Sequence, residues 1–305
     1  MAMRSGGSIA GLLEEARRQL CTTSETPQLD AEVLLSFVLG CSRLHLVVHH
    51  ATEVEVDFIV RFQELVHRRV RFEPVAYLTG TKEFFGLSFR VAPDVLIPRP
   101  DTEVLVEEAV RLLVAMDRRA HAEKNERGVT PEALRFLDLG TGSGCIAISV
   151  QHEVGRRGVS ASGCGIDRCQ RALTIAAENA ECLGVPLELR HGSWFEPCKP
   201  WEAYDLILSN PPYINRVDKE LSPETAYEPQ QALFADECGL SDIRNILERA
   251  PAFLKPGGSI LIEVGRGQAI SVIERFAPSG FSGRIIADLA GIERVVVFKR
   301  LTEEI

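Results

Sequence analysis

From Leu134 onward, short apolar runs alternate with stretches of helical spacing, the order expected of a sheet whose strands are joined by crossover helices. Strands are predicted over residues 135–139, 161–166, 187–190, 204–209, 259–264, 284–287 and 294–299, with about five helices between them. Only residues 288–293 separate the last two strands. That is too short for a helical crossover, so this pair should run antiparallel. A chain patterned in this way builds a nucleotide-type α/β domain.

The chain has 305 residues, more than one domain usually holds, and its first part has a different period. Ile9, Leu12, Leu13, Ala16 and Leu20 mark one helical face; residues 30–38 read as a second helix stopping at Gly40. Ile59, Phe62, Leu65, Val66 and Val70 mark a third. Residues 83–91, centred on Gly86, fit a short hairpin, and residues 102–113 resume helical spacing after Pro98 and Pro100. The polar residues 117–130 read as an exposed loop. The expected division is a helical domain over residues 1–82, a β-hairpin linker over 83–100 and the α/β domain over 101–305.

Composition narrows the function. No apolar run reaches the roughly 18 residues of a membrane span, and the N-terminus lacks the order of a secretory signal, so a cytoplasmic protein is expected. A net charge of −9 argues against affinity drawn from phosphate neutralisation. Arg61, His67, Arg68, Arg69 and Arg71 form a local basic cluster, read mainly as a solvated helix face. The eight cysteines show no C-x-x-C spacing and are read as reduced thiols; neither they nor His49-His50 suggest a metal site.

The strand ending at Leu139 runs into Gly140-Thr141-Gly142-Ser143-Gly144. Absent side chains let backbone approach a ligand closely, and a helix starting near Ser143 would present its free N–H groups. Asp167 ends the next strand, where a carboxylate can accept from both hydroxyls of a ribose or cap the following helix. A dinucleotide calls for G-x-G-x-x-G around its pyrophosphate, whereas the spacing here is G-x-G-x-G. S-adenosylmethionine, which has no phosphate, fits better, and Asp138 could meet its ammonium group.

Asn210-Pro211-Pro212-Tyr213 follows a predicted buried strand at the sheet edge where open α/β sheets bind ligands. Two prolines make a stiff loop without N–H donors, its carbonyls free to accept. A planar amide or amino nitrogen is a poor nucleophile because its lone pair is delocalised. The Asn210 side-chain oxygen and the Pro211 carbonyl could take its two N–H bonds and aim the lone pair at a methyl carbon, with Tyr213 stacked on the flat group. No strong base is needed before attack. The expected reaction is methyl transfer to such a nitrogen, on a seven-stranded Rossmann-like class I methyltransferase sheet.

The chain resembles the N5-glutamine methyltransferases of peptide chain release factors, the HemK family, nearly end to end. The likeness is carried by Asp30-Ala31-Glu32-Val33-Leu34-Leu35, by Pro74 to Gly80, by Glu83 to Leu87, by Leu96-Ile97-Pro98-Arg99-Pro100-Asp101-Thr102-Glu103, by the glycine turn, Asp167 and Trp194-Phe195, and by Asn210 to Tyr213, Tyr227-Glu228-Pro229 and Glu263-Val264-Gly265. The resemblance implies S-adenosylmethionine as donor and the glutamine of the Gly-Gly-Gln motif in class 1 release factors as acceptor. It implies that Gly140 to Gly144 and Asp167 hold the cofactor, that Trp194 lies beside its adenine, and that Asn210 meets both cofactor and glutamine amide. Ser193 departs from the Asp that relatives often carry before Trp-Phe, which puts one polar contact near the adenine in doubt. Arg99 and Glu103 are candidates either to line a cleft between the domains or to form an internal salt bridge positioning the hairpin. The insertion over residues 214–240, with Glu228 and Pro229, is a candidate cover for bound peptide.

Two other readings compete. An adenine-N6 methyltransferase of DNA or RNA shares the tetrapeptide but would want a basic cleft. A non-catalytic translation-factor adaptor would tolerate loss of Asn210 or the glycines, and all are present. The expected partner is therefore a protein substrate, met by a monomer without direct nucleic-acid contact.

Overall fold

The computed structural model describes residues 7–127, 132–218 and 221–301. The chain packs as two compact units, one taking in the chain up to Thr81 together with Leu221–Tyr227, the other taking in the rest.

The first unit is built of α1 (Ile9–Leu20), α2 (Pro27–Leu39), α3 (Arg43–Val48), α4 (Val56–Arg69) and α5 (Val75–Thr79). The Ser8 hydroxyl caps α1 by accepting from the Gly11 amide, and Pro27 opens α2 at a position that needs no N–H donor. Leu20, Leu34, Leu35, Leu46 and Phe62 form its centre, each burial stabilising by roughly 1.5–3 kcal/mol. The solvated basic face expected on α4 loses one member. Arg69 is buried, its guanidinium paired with Asp30 at 2.7 Å and Glu224 at 2.6 Å. The reason is periodicity: Phe62, Val66 and Arg69 share the inward stripe of α4, so Arg69 had to find carboxylates. The short return Leu221–Tyr227 is held in this unit by that Glu224 contact and by the Tyr227 hydroxyl, which donates to the Arg71 carbonyl at 2.7 Å.

In the hairpin of β1 (Thr81–Phe84) and β2 (Leu87–Arg90), Phe85 and Gly86 turn the chain at φ 51° and 73°. The Glu103 carboxylate accepts the Phe85 amide hydrogen at 3.0 Å, so of the two roles open to Glu103 it performs the positioning of the hairpin, though by a hydrogen bond and not an ion pair. The expected loop over residues 117–130 is corrected as far as Arg127. There α6 (Glu103–Arg127) continues as helix, because that stretch contains Ala, Arg, Glu and Lys and neither Gly nor Pro to stop it. Residues 128–130 lie outside the described residues.

The chain then runs through β3 (Leu134–Leu139), α7 (Cys145–Arg156), β4 (Ala161–Asp167), α8 (Gln170–Cys182), β5 (Glu188–His191) and β6 (Tyr204–Ser209). Next come β7 (Ile214–Asn215), α9 (Gln230–Leu233), β8 (Phe234–Ala235), α10 (Asp236–Gly239) and α11 (Ser241–Arg249). It ends with β9 (Leu254–Glu263), α12 (Ala269–Phe276), β10 (Phe281–Ala287) and β11 (Glu293–Arg300). Seven strands make one sheet in the order β10-β11-β9-β6-β3-β4-β5. Only β11 is reversed, pairing antiparallel with both β10 and β9, as the short final link requires. Alternate residues feed two cores: Phe136, Leu206 and Leu208 pack on one face, Leu137, Leu139 and Ile207 on the other. The expected insertion is not structureless, since β7 pairs with β8.

Candidate active site

Strand register assembles the site. Leu139 pairs with Ile166 and with Ser209, and Ser209 pairs with Ile262. One residue further along each strand, Asp167, Gly140, Asn210 and Glu263 therefore stand in a row across the carboxyl edge of the sheet. Four residues spread over more than a hundred positions become neighbours because parallel strands end together.

The glycine turn is stitched down from within. The amides of Gly140 and Thr141 both donate to the Ile166 carbonyl, at 2.8 and 3.0 Å, and that of Gly144 donates to the Thr141 carbonyl at 2.8 Å. The Gly142 amide donates to Asp167 at 2.9 Å, while the other Asp167 oxygen caps α8 by accepting from the Cys169 amide at 2.8 Å. Burial raises the Asp167 pKa, and these two amides offset part of that rise. Each carboxylate oxygen retains a second acceptor site. A side chain at Gly144 would come within 2.8 Å of Ile148 and 3.2 Å of Ala176, so the close approach of α7 to α8 requires glycine there.

Gly140, Gly142, Asp167, Trp194, Asn210 and Pro212 all line one cavity of about 710 Å³, its open mouth included. Trp194, held at φ 48°, lies over the turn, close enough that a Cβ on Gly140 would sit 3.5 Å from its ring. Ser193 lines the same cavity, as do Val95 and Leu96, which the sequence did not suggest. Thr141, Ser143 and Gly144 are not among the lining residues. Thr141 donates its hydroxyl to Asp138 at 2.7 Å, and the Ser143 carbonyl accepts from Asn179 at 2.8 Å, so both brace the turn from behind. Asp138 itself is wholly buried and is pushed up to about 7, by burial first, against the Thr141 hydrogen bond. It underlies the turn and does not line the cavity where an ammonium group could meet it.

Four amides of the turn are spent on internal acceptors, which leaves a poor cradle for phosphate. Acceptors on Asp167 and the Trp194 ring suit a phosphate-free nucleoside. The residues present fit S-adenosylmethionine.

The Asn210 side-chain nitrogen donates to the Thr102 hydroxyl at 3.1 Å, which leaves the side-chain oxygen as the carboxamide's open acceptor. Tyr213 donates its hydroxyl to Glu263 at 3.2 Å, and its carbonyl accepts from Gln268 at 3.0 Å. Gly239 must be glycine, since a Cβ there would lie 2.0 Å from that carbonyl oxygen. Pro211 is buried, and neither it nor Tyr213 lines the cavity. Arg99 and Glu228 are also outside the lining. They pair with each other at 2.5 Å, and Glu228 accepts the Ile97 amide at 3.1 Å. Sequence reasoning assigned no role to Thr102, Glu263 or Gln268. For Glu263 a signal existed, a carboxylate at the carboxyl end of an apolar strand beside Asn210.

Residues 11–80 match the family described as PrmC N-terminal domain, and residues 131–276 the family described as Methyltransferase domain. The chain is 41% identical over 279 residues to the release factor glutamine methyltransferase of Neisseria gonorrhoeae, covering 90% of this chain and 94% of that one. It is 41% identical over 275 residues to the same-named protein of Geobacter sulfurreducens, covering 89% of each. Among solved structures, the hMettl16 catalytic domain in complex with MAT2A 3'UTR hairpin 6 superposes with a TM-score of 0.51 over 82% of this chain and 84% of that chain, at 13% identity, a likeness of fold.

Proposed function

This chain belongs to the release factor glutamine methyltransferase family, and we propose on that basis that it transfers a methyl group from S-adenosylmethionine to the side-chain amide nitrogen of the glutamine in the Gly-Gly-Gln motif of class 1 release factors. The observation that carries the reading is the row Asp167, Gly140, Asn210 at one sheet edge, all three lining one cavity. Gly140, Gly142, Asp167 and Trp194 would hold the cofactor, which supplies an electrophilic methyl carbon on a sulfonium.

The protein's own part is orientation. Asn210 Oδ1 and the Pro211 carbonyl accept the two N–H bonds of the glutamine amide and turn its lone pair toward the cavity. Holding one productive geometry lowers the barrier by several kcal/mol, and acceptors matched to the charge that develops on nitrogen add to it. That nitrogen becomes acidic only as its new bond forms, so its proton can leave without a strong base. Tyr213, fixed at both its hydroxyl and its carbonyl, stiffens the loop and offers its ring to the flat amide. Arg99 and Glu228, tied to each other and to Ile97, support the segment that carries Val95 and Leu96 into the cavity wall.

The net charge of −9 favours a protein substrate over direct nucleic-acid contact, and the protein would act as a monomer in the cytoplasm. Among the described residues no helix is long and apolar enough to cross a membrane. Incubation with labelled S-adenosylmethionine and either a class 1 release factor or duplex DNA tests the substrate. Label is expected in the release factor; label in DNA, or in neither, overturns the reading.

A further inference from the structure

Glu263 ends β9 beside Asn210 and is 1% exposed. One of its oxygens accepts from the Tyr213 hydroxyl, while the other, also buried, has no hydrogen-bond partner in the structure. A half-satisfied carboxylate in a core costs stability and contributes no packing that leucine would not contribute better. Its neighbours suggest what it does. Thr102 stands beside Glu263, whose pKa it helps to hold down, and the Thr102 oxygen accepts from the Asn210 side-chain nitrogen.

We propose that Thr102 and Glu263 are positioning residues that decide which end of the Asn210 carboxamide faces the substrate. A hydroxyl has one hydrogen. While the Glu263 carboxylate takes it, Thr102 can only accept, and Asn210 must turn its NH2 toward Thr102 and its oxygen outward. Without that constraint the hydroxyl can donate to Asn210 Oδ1 instead. The carboxamide then flips and presents N–H to a substrate amide that also carries N–H, a pairing of two donors. The same carboxylate anchors Tyr213, so one buried charge orients both polar members of the loop.

The charge on Glu263 is set by its surroundings. Burial pushes its pKa up to about 7, against the hydrogen bonds of Thr102 and Tyr213 and the positive Arg294 of β11, and Asp101 raises it further. Arg294 is itself shared between Asp101 at 2.5 Å and Asp288 at 2.9 Å, and the Cys145 thiol at the start of α7 also feels Glu263. The relay direction is therefore strongest above neutrality.

This inference rests on the proposed glutamine methylation, and the test separates the two. In the full-length protein, Thr102→Val removes the hydroxyl and keeps the shape, Thr102→Ser keeps the hydroxyl, and Glu263→Leu removes the acceptor altogether. For a release-factor substrate, Thr102→Val and Glu263→Leu are expected to lower kcat by about 30-fold, with affinity for S-adenosylmethionine within about threefold of wild type. Thr102→Ser should restore kcat to within about threefold. Independently of activity, the Asn210 side-chain NH2, assigned by its loss in Asn210→Ala, should show slowed hydrogen exchange in wild type and Thr102→Ser, and fast exchange in Thr102→Val. Unchanged kcat or unchanged exchange in folded Thr102→Val overturns the relay. If Thr102→Val does not fold, folded Glu263→Leu with wild-type kcat overturns it equally. A wild-type protein that methylates no release factor would refute the functional reading, while the exchange measurement still decides the relay.

Discussion

The Asp167 carboxylate at the end of β4 accepts the amide hydrogen of Gly142, in the turn after β3, at 2.9 Å, and with its other oxygen caps α8. One side chain thus ties together two strands and a helix while still facing the cavity. Asp167→Ala should weaken S-adenosylmethionine binding and also destabilise the fold by about 1–3 kcal/mol, because two buried amides lose their acceptor. Asp167→Asn keeps an acceptor for only one of them and should fall between. Calorimetric affinity and a melting curve read the two effects; an Ala variant with unchanged affinity contradicts the assignment to the cofactor site.

Asn210→Ala deletes an acceptor used chiefly in the transition state and only one hydrogen bond of the resting fold, that to Thr102. Turnover should drop by about 100-fold or more, while stability falls by no more than about 1 kcal/mol. Steady-state kinetics beside urea unfolding separate these. Equal losses in both would make Asn210 a structural residue.

The sequence leaves Arg99 either lining a cleft or in an internal salt bridge and places Glu228 in a candidate cover for bound peptide; the ion pair between the two argues for support. Glu228 is 4% exposed, and Arg99 is its cationic partner. Arg99→Met should destabilise the protein by about 3 kcal/mol by leaving a buried carboxylate without its cation. Arg99→Met together with Glu228→Gln should recover part of that loss. A variant of wild-type stability with a raised KM for release factor would return Arg99 to the substrate site.

Glu263 and Asp138 are both pushed up to about 7 by burial. A carboxyl that holds its proton more tightly when folded stabilises the fold fully below its ordinary value, and that contribution is lost as pH rises through about 7. Each such group is worth up to about 3 kcal/mol. Carboxylates held low by arginines, such as Glu202 at about 2 beside Arg190, have the opposite sign but act at lower pH. Tm should therefore fall between about pH 5 and 8, and Glu263→Gln should flatten that slope. Parallel profiles for the two proteins would show that Glu263 does not titrate in this window.

The local parts of the site could be read directly from sequence. Glycines in a turn, an acid ending a strand and an Asn-Pro-Pro-Tyr break are each decided within a few residues, and the strand periods predicted the sheet, including its reversed strand. What was not legible lies between distant positions. Thr102 stands 108 residues from the side chain it orients, and Arg69 reads as a surface cation until Asp30 and Glu224 are seen beside it. The helical continuation of α6 was missed for a different reason, since a polar stretch without breakers has the composition of a loop and the propensity of a helix.

The central claim is that a rigid loop headed by Asn210 directs methyl transfer onto an amide nitrogen. Fragmentation mass spectrometry of a class 1 release factor after incubation with the protein and S-adenosylmethionine tests it most directly. One methyl group should be found on the side-chain nitrogen of the Gly-Gly-Gln glutamine, and Asn210→Ala should all but abolish it. Methylation at any other residue, or an undiminished yield from Asn210→Ala, would contradict the account.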